Sequence, residues 1–272
     1  MFVTKRAVAI NLVENDSVYI HGQKLMVTGK EGERILRAFK NVRFYKTDMS
    51  GKCDSIHSNS KTALTKLIGS PILWNGDSQI TGDLMHLIGD NNTKKLDSLK
   101  VINNTFLISK DTLGTGYNQV KGLNLFGKFK EGKLHDVDVV KNTEVVYFMR
   151  NDANELIGIN KNVSSKINLI LENNAVETIT FFNRVDGDIF PEEDLPENAR
   201  KLRGFVWRGD ERIKSKDDIF TAEENEMNDK LVKEGKEQEE KDKNVPMKVR
   251  KETLNYDKKK PAVKAETKPK VK

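Results

Sequence analysis

Short runs of alternating apolar and polar residues, punctuated by Gly and Asn, recur from about residue 15 to residue 190 of this chain. Four runs that carry a glycine begin at Val18, Ser78, Gln119 and Glu155. The runs between them are FKNVRFYK from Phe39, IGSPILWNG from Ile68, INNTFLISK from Ile102, VKNTEVVYFM from Val140 and FFNRVDGDIF from Phe181. A repeat of roughly 30–40 residues made only of strands indicates one sheet motif stacked on itself. The chain is therefore predicted to be all-β.

The alternation of apolar and polar residues within these runs indicates that one face of each strand is buried and the other is exposed to solvent. Val42 and Phe44 fall on one face of a strand, with Arg43 and Tyr45 on the other. The same alternation pairs Ile72 with Trp74, Phe106 with Ile108, and Leu123 with Leu125. Alternation of this kind is typical of antiparallel strands that are wetted on one face. Short polar turns between the runs predict an antiparallel meander.

Helical patterns are few in the first 220 residues. Glu31–Phe39 suits either a helix or a strand after a turn, whereas Thr62 and Thr65 favour a strand for Lys61–Ile68. Leu195–Lys201 predicts one helical turn, because its proline fits the first position of a helix.

The character of the sequence changes at Thr221. From there to the C-terminus the chain is almost free of apolar residues and carries mixed charge. Burial cannot offset the entropy of ordering such a segment, so residues 221–272 are predicted to form a disordered charged tail after a folded domain at residues 1–220. Glu–Lys pairs at four-residue spacing predict a transient helix at Glu223–Lys241, and the last dozen residues form a flexible basic end.

Composition and motifs indicate a non-enzymatic protein. The net charge is +6, but charges of both signs are interspersed through the first 220 residues, and aromatic residues amount to only 7%. No nucleic-acid partner is expected from such a surface. The single cysteine, Cys53, excludes an intramolecular disulfide. The histidines lack the spacing of a metal site, no phosphate loop or nucleophile motif is present, and no metal, cofactor or catalytic residue is predicted. The histidines are His21, His57, His86 and His135.

The sequence also lacks the patterns of a membrane-spanning helix and of a secretion signal. No run of 18 apolar residues exists to span a membrane as a helix. The N-terminus has a basic pair but lacks the apolar h-region of a signal peptide.

A sheet with one apolar face must cover that face. If the sheet folds over without closing, an apolar groove runs along it, and each methylene of a buried acyl chain would contribute about 0.8 kcal/mol. If the two halves meet, they form a dry sandwich core instead. Periodicity alone leaves both arrangements open.

Several segments resemble the OstA-like proteins of Bacteroidetes-type bacteria. The segments are DSVYIHGQKLMVTG, NVRFYKTDMSGKCDSIHSN, SPILWNGDSQITGDLMHLI, VKGLNLFGKFKEGKLHDVDVVKNTEVVYF and KLRGFVWRGDERIKSKDDIF. They are similar to the LptA-type bridge protein of lipopolysaccharide transport and to the N-terminal periplasmic domain of the LptD-type outer-membrane translocon. The resemblance covers about residues 15–220, and its most specific part is the run 198–220.

The resemblance implies a folded-over antiparallel β-jellyroll, or β-taco, in the periplasm. Its apolar interior would shelter the acyl chains of lipid A on the way to the outer membrane. Its edge strands would stack on other jellyroll proteins of the export path, or on further copies of the chain. No catalytic residue is implied.

Positions on one strand face would line the lipid groove under this resemblance. They are Val42, Phe44, Ile72, Trp74, Phe106, Ile108, Val145, Tyr147, Ile179 and Phe181. The set depends on strand phase, because a slip of one residue moves a side chain to the opposite face.

The leading expectation is thus a periplasmic carrier of lipopolysaccharide. Proteins of this family are exported, so the missing leader predicts a truncated start or a fragment with further repeats upstream. One alternative is an envelope scaffold with the same fold and a dry core, assembled through its strand edges. A weaker alternative is a polyanion binder that acts through the basic tail.

Overall fold

Strands make up most of the described part of the chain. The computed structural model describes residues 1–13, 16–172 and 175–243, and it divides into two compact units, Met1–Phe220 and Thr221–Lys272. The strands of the first unit are β1 (Phe2–Thr4), β2 (Val8–Val13), β3 (Asp16–His21), β4 (Lys24–Thr28), β5 (Ile35–Lys46), β6 (Met49–Asn59), β7 (Leu64–Ile68), β8 (Ile72–Asn75), β9 (Ser78–Thr81), β10 (Leu84–Gly89), β11 (Leu96–Lys110), β12 (Tyr117–Lys130), β13 (Lys133–Arg150), β14 (Leu156–Glu172), β15 (Ala175–Phe182) and β16 (Asp186–Phe190). Turns of 3-10 helix follow at Glu192–Asp194, Glu197–Arg200 and Gly209–Glu211.

Within the described residues, the sixteen strands form one antiparallel sheet that folds along a line into two halves. We call these halves wing A and wing B. The order in wing A is β1-β4-β5-β6-β7-β10-β11-β12-β13-β14-β15. The order in wing B is β2-β3-β5-β6-β8-β9-β11-β12-β13-β14-β16. Long strands such as β11 run through both wings, whereas short pairs such as β7 and β8 supply one half each.

The fold line follows a row of residues in the left-handed backbone region. The pairing of the long strands is interrupted at residues 40–41, 103–104 and 141–142, and it resumes on the far side with the register shifted by one residue. These pairs, each containing at least one Asn, have φ between 50° and 65°, and residues 183–184 between β15 and β16 have φ of 55° and 50°. Asn tolerates this conformation better than most residues. Each pair therefore turns a strand out of one wing and into the other.

Glycines complete the same line on neighbouring strands. A Cβ atom on Gly82 would lie 2.3 Å from Cγ1 of Val101, and a Cβ atom on Gly122 would lie 2.6 Å from Cγ1 of Val139. The sharp bend brings the side chain of the adjacent strand against the glycine backbone. The glycine-punctuated repeat is confirmed as stacked strands, but these glycines mark bends within the folded sheet rather than reverse turns.

The inner faces of the two wings pack against each other as one hydrophobic cluster. Wing A contributes side chains such as Leu99 and Val139, and wing B contributes Val42, Leu73 and Val145. The exposed fraction of each of these five side chains is 0% or 1%. The predicted fold class, an all-β antiparallel sheet folded over as a jellyroll, is confirmed.

Most predictions for individual segments agree with the structure. The run VAINLV near the N-terminus is β2, and most of Lys61–Ile68 is β7. The ambiguous segment Glu31–Phe39 contains no helix and leads into β5. The predicted helical turn is the 3-10 turn at Glu197–Arg200, directly after Pro196.

The second unit contains helix α1 (Ala222–Lys243). A capping box begins it: the Thr221 hydroxyl accepts a hydrogen bond from the Glu224 N–H at 3.1 Å, and the Glu224 carboxylate accepts one from the Thr221 N–H at 2.7 Å. The helical tendency predicted for Glu223–Lys241 is therefore present as a helix within the segment predicted to be disordered. The remainder of that predicted tail lies outside the described residues.

The fold line predicts a specific sensitivity at Gly82. The change Gly82→Ala places a methyl group against Val101, and we expect a loss of about 1–3 kcal/mol of unfolding free energy in urea titrations, because a packed core cannot absorb the extra volume. The double variant Gly82→Ala/Val101→Ala removes the atom that is met, so its loss should be smaller than the sum of the two single losses. Additive losses would contradict this account of the bend.

Candidate functional site

Side chains fill the space between the wings along most of its length. Val101, Ile167 and Leu169 in wing A and Val145 in wing B all have an exposed fraction of 0%. Two cavities lie elsewhere. One of about 230 Å³ is bounded by the β5–β6 turn and residues 212–214, and one of about 560 Å³ follows the fold line. The middle of the interior is therefore a dry, packed core.

The last strands leave the inner face partly open. Val176, Ile179 and Phe181 of β15 pack on the inner cluster but are only half-buried or exposed at its rim. On the other wing, Ile189 of β16 is 54% exposed and pairs with Asn160 of β14, whose partner on its other side is Tyr147 of β13. We call Tyr147, Val176, Ile179, Phe181 and Ile189 the mouth. It is the place where the apolar interior meets solvent.

Neutral polar groups complete the mouth. The Tyr147 hydroxyl donates to the Val176 carbonyl oxygen at 3.4 Å and so joins β13 of wing B to β15 of wing A. Burial raises the pKa of Tyr147, and the nearby charge of Asp111 acts in the same direction. The side-chain amide of Asn162 donates to the Asn160 side-chain oxygen at 2.5 Å. Because these groups are uncharged at neutral pH, the mouth suits apolar and uncharged matter.

The sheet ends in strands with one unpaired edge. Among the described residues, β15 and β16 each pair only with β14, while β1 pairs only with β4 and β2 only with β3. Ile10 and Leu12 of β2 are 64% and 69% exposed. Unpaired edges are templates for strand addition. Both ends of the sheet are thus chemically able to accept a further strand.

The segment that follows the last strand covers the outer face of wing B. Residues 191–220, here called the strap, run back across the strands of this wing. Leu195 and Leu202 of the strap form a second hydrophobic cluster with Phe148 and Ile159 of the sheet. At the far end, the Phe220 ring lies 4.9 Å from the His21 ring of β3. The strap thereby adds a third layer to one half of the protein.

Two buried glutamines hold the strap by its backbone. The Gln119 side chain donates to the Arg200 carbonyl oxygen at 2.8 Å and accepts from the Leu202 N–H at 2.9 Å. The Gln79 side chain donates to the Val206 carbonyl oxygen at 2.8 Å and accepts from the Arg208 N–H at 2.7 Å. Each glutamine is 1% exposed. Each side-chain amide therefore satisfies one donor and one acceptor of the strap, as a neighbouring strand would.

An ion-pair cluster anchors the strap between the segment held by the two glutamines and the end of the strap at Phe220. Arg208 donates two hydrogen bonds of 2.7 Å to the Glu211 carboxylate, and Lys52 of β6 donates one at 3.3 Å. The hydrogen bonds from Arg208 lower the pKa of Glu211 to about 2. Glu211 is therefore ionised at any pH at which the protein functions.

The structure separates the ten positions predicted to line one groove. Six lie on the inner face, in the cluster between the wings or packed against it: Val42, Phe44, Val145, Tyr147, Ile179 and Phe181. Four lie on the outer face of wing B: Ile72, Trp74, Phe106 and Ile108. A role of the ten in lining a lipid groove stays a prediction, for which the six inner positions have the required placement.

The separation has a simple cause. The strap buries the outer face of wing B, so strands there are apolar on both faces. Ile72, Leu73 and Trp74 are consecutive and all buried. Alternation carries no phase information in such a run. Gln79 and Gln119 were missed for a related reason, although a glutamine inside an apolar strand is itself a signal of a buried polar partner.

The side chains considered for chemistry are kept apart. Burial raises the pKa of the Cys53 thiol to about 12, so it stays protonated and is a poor nucleophile. Nδ1 of His21 lies 2.8 Å from the Ala7 carbonyl oxygen, and Nδ1 of His135 lies 2.7 Å from the Leu171 carbonyl oxygen. Across the described residues, no group of three or more potential ligands is placed to hold a metal ion.

The remaining histidines share one lysine. His57 and His86 lie on either side of Lys66 on the outer face of wing A. Burial lowers the pKa of both imidazoles, and the charges of Lys66 and of Arg37 or Lys100 lower it further.

Together, the folded sheet, its apolar interior, its mouth and its free edges define an all-β antiparallel jellyroll. No protein-family model matches the chain, and no curated sequence does. Solved structures similar to it include LptH, the LptA-homologous periplasmic component of the lipopolysaccharide transport device of Pseudomonas aeruginosa. The identity is 16%, the TM-score is 0.40, and the match covers 53% of this chain and 99% of that one.

No helix in the described ranges is long and apolar enough to cross a bilayer.

The glutamine clamps predict how the strap is released. The change Gln119→Ala leaves the Arg200 carbonyl and the Leu202 N–H unpaired beneath the strap, at a cost of about 1–3 kcal/mol. We expect faster hydrogen exchange of the Leu202 amide and faster tryptic cleavage between residues 200 and 203. The change Gln23→Ala, at an exposed glutamine, is the matched control and should alter neither. Equal exchange in the two variants would show that the clamp does not hold the strap.

The two histidines beside Lys66 predict a dependence of stability on pH. Because their pKa values are lower in the folded than in the unfolded protein, the unfolded state binds more protons, and stability is lost as the pH falls below about 6.5. Between pH 7 and pH 5, the unfolding free energy of the double variant His57→Gln/His86→Gln should fall less than that of the native protein. Parallel curves for the two proteins across this range would refute the assignment.

Proposed function

We propose that this protein is a non-enzymatic carrier or bridge of the bacterial periplasm that shelters the acyl chains of lipopolysaccharide between its wings. The observation that carries the proposal is the continuous apolar inner face, which ends in the half-open mouth formed by Tyr147, Ile179, Phe181 and their neighbours. The sequence segments that resemble OstA-like proteins support the same cargo. No catalytic step is involved.

Binding of an acyl chain would be driven by its transfer from water to the apolar interior. Each acyl methylene that leaves water contributes about 0.8 kcal/mol, while sugars and phosphates stay outside. Because the interior is packed, an acyl chain entering at the mouth replaces contacts between side chains of the two wings. The hydrogen bond from Tyr147 to Val176 joins the wings at the point of entry. Parting of the last strands is therefore the first step of loading in this mechanism.

A specific observation favours a second candidate, an envelope scaffold without lipid cargo. Inner side chains such as Val101 and Val139 are fully buried in the middle of the sheet, as in a protein whose two faces only pack. Free edges at β1, β2, β15 and β16 would join it to other jellyroll proteins or to further copies of the chain. Both candidates share these partners, and they differ in the occupant of the interior.

The third candidate, a polyanion binder acting through the basic C-terminal tail, stays a prediction. Residues 244–272 lie outside the described part of the chain, and no contact described above bears on it.

Photocrosslinking distinguishes the carrier from the scaffold. A benzophenone amino acid placed at Tyr147 or Phe181 should crosslink to lipopolysaccharide, because both side chains face the interior at the mouth. The same probe at Phe106 is the matched aromatic control on the opposite face, beneath the strap, and should give no crosslink.

Each outcome is informative once circular dichroism shows that the variants are folded. Crosslinks at the two mouth positions alone support a carrier. Crosslinks at none of the three positions exclude the carrier and leave the scaffold. Equal crosslinks at all three indicate non-specific contact with lipid aggregates and also count against the carrier.

A further inference from the structure

The outer face of wing A carries a row of cationic and imidazole side chains in direct cross-strand register. Arg37 of β5 lies opposite His57 of β6, which lies opposite Lys66 of β7. Lys66 in turn lies opposite His86 of β10, and His86 lies opposite Lys100 of β11. We call these five residues the basic row. With adjacent strands about 4.8 Å apart, the row extends about 19 Å across the sheet.

Among the described residues, Arg37, Lys66 and Lys100 take part in no salt bridge, and the first acidic residue in the same cross-strand register is Asp138, beyond Phe126. The positions that flank Lys66 diagonally on one side are Ser55 and Leu84, and neither is acidic. Nε2 of His57 and Nε2 of His86 are buried and have no hydrogen-bond partner in the described structure. The three cations of the row are therefore available to pair with an anion outside the chain.

Apolar side chains accompany the basic row on the same face. Ile68 lies two residues after Lys66 on β7, on the same face, and is 40% exposed. Its cross-strand partner Leu84 is half-buried. At the end of the row, the Lys100 ammonium lies 5.5 Å from the centre of the Phe126 ring, which is 41% exposed. The face therefore presents cations together with apolar groups that reach into solvent.

The outer face of wing B is covered by the strap, whereas the strap does not cover the outer face of wing A. On wing B, strap residues such as Leu195 and Leu202 bury the apolar outer side chains. On wing A, Ile68 and Phe126 stay exposed beside the basic row. Wing A therefore keeps exposed apolar side chains beside its cations.

The cationic and apolar side chains of this face together favour one class of partner over another. Single-stranded nucleic acid is held by aromatic side chains on which successive bases stack. The exposed Phe2, Phe126 and Phe182 of this face lie far apart on β1, β12 and β15, and each ring already has a lysine ammonium 4.7 to 5.5 Å from its centre. A lipid bilayer with anionic headgroups uses both components, because phosphates pair with cations while apolar side chains enter the interfacial region.

We propose that the outer face of wing A docks on the surface of a bilayer rich in anionic phospholipid, with the basic row on the phosphates and Ile68 and Phe126 at the acyl boundary. This goes beyond the proposed function and does not depend on it, because the cargo would occupy the opposite face of the same strands. The protein would lie on the membrane and not cross it.

Co-sedimentation of the full chain with vesicles tests the proposal. We expect binding to vesicles that contain phosphatidylglycerol, little binding to vesicles of phosphatidylcholine alone, and weakening at high salt. The triple variant Arg37→Gln/Lys66→Gln/Lys100→Gln should bind phosphatidylglycerol vesicles roughly a hundredfold more weakly, since each basic residue at an anionic surface contributes a separable share. The variant Phe126→Ser should reduce the part of the binding that persists at high salt.

The control removes the same charge elsewhere. Lys110, Lys214 and Lys216 are exposed residues of β11 in wing B and of the strap, and their triple change to Gln should leave binding close to that of the native chain. The basic C-terminal tail is identical in all variants, so it cannot produce the difference. Equal losses in the two triple variants, or no binding by the native chain, would overturn the proposal. Preferential binding to an oligonucleotide that displaces the vesicles would also overturn it.

Discussion

Contact between the inner faces of the two wings is the interaction on which the rest of this structure depends. A sheet with one apolar face needs a second layer, and here the same strands supply both layers because each bends at the fold line. The left-handed pairs at residues 103–104 and 141–142, with glycines such as Gly82 on the strands beside them, make that bend possible. If the strands stayed straight, Val101 and Val145 would face water instead of one hydrophobic cluster.

The strap makes the two wings unequal. It buries the outer face of wing B, and the amides of Gln79 and Gln119 satisfy its backbone where no strand is available to do so. Wing B is thus the middle of three layers, while wing A has one buried and one open face. This asymmetry assigns different tasks to different surfaces: the interior and mouth suit apolar matter, the strand edges suit further strands, and the basic row suits an anionic surface.

Much of the architecture could be predicted from residue patterns. Alternation predicted strands at β8, β11 and much of β5, and Thr62 and Thr65 favoured the strand β7. The change in composition at Thr221 coincides with the start of the second unit. The candidate site was harder. The inner placement of Val42 and Phe44 followed from alternation, because Arg43 and Tyr45 alternate with them and give the strand a phase. Ile72, Trp74, Phe106 and Ile108 could not be assigned to a face, because the residues between them are apolar too.

The sequence by itself determined the strand content and the stacked repeat, because alternation acts over a few neighbouring positions. Tertiary structure decided which apolar face became the interior, how closely the wings packed, and what covered wing B. Those outcomes depend on contacts between residues more than 80 positions apart, such as Gln119 with Leu202. The basic row is of the same kind, since Arg37 and Lys100 become members of one row only when β5, β6, β7, β10 and β11 pair in register.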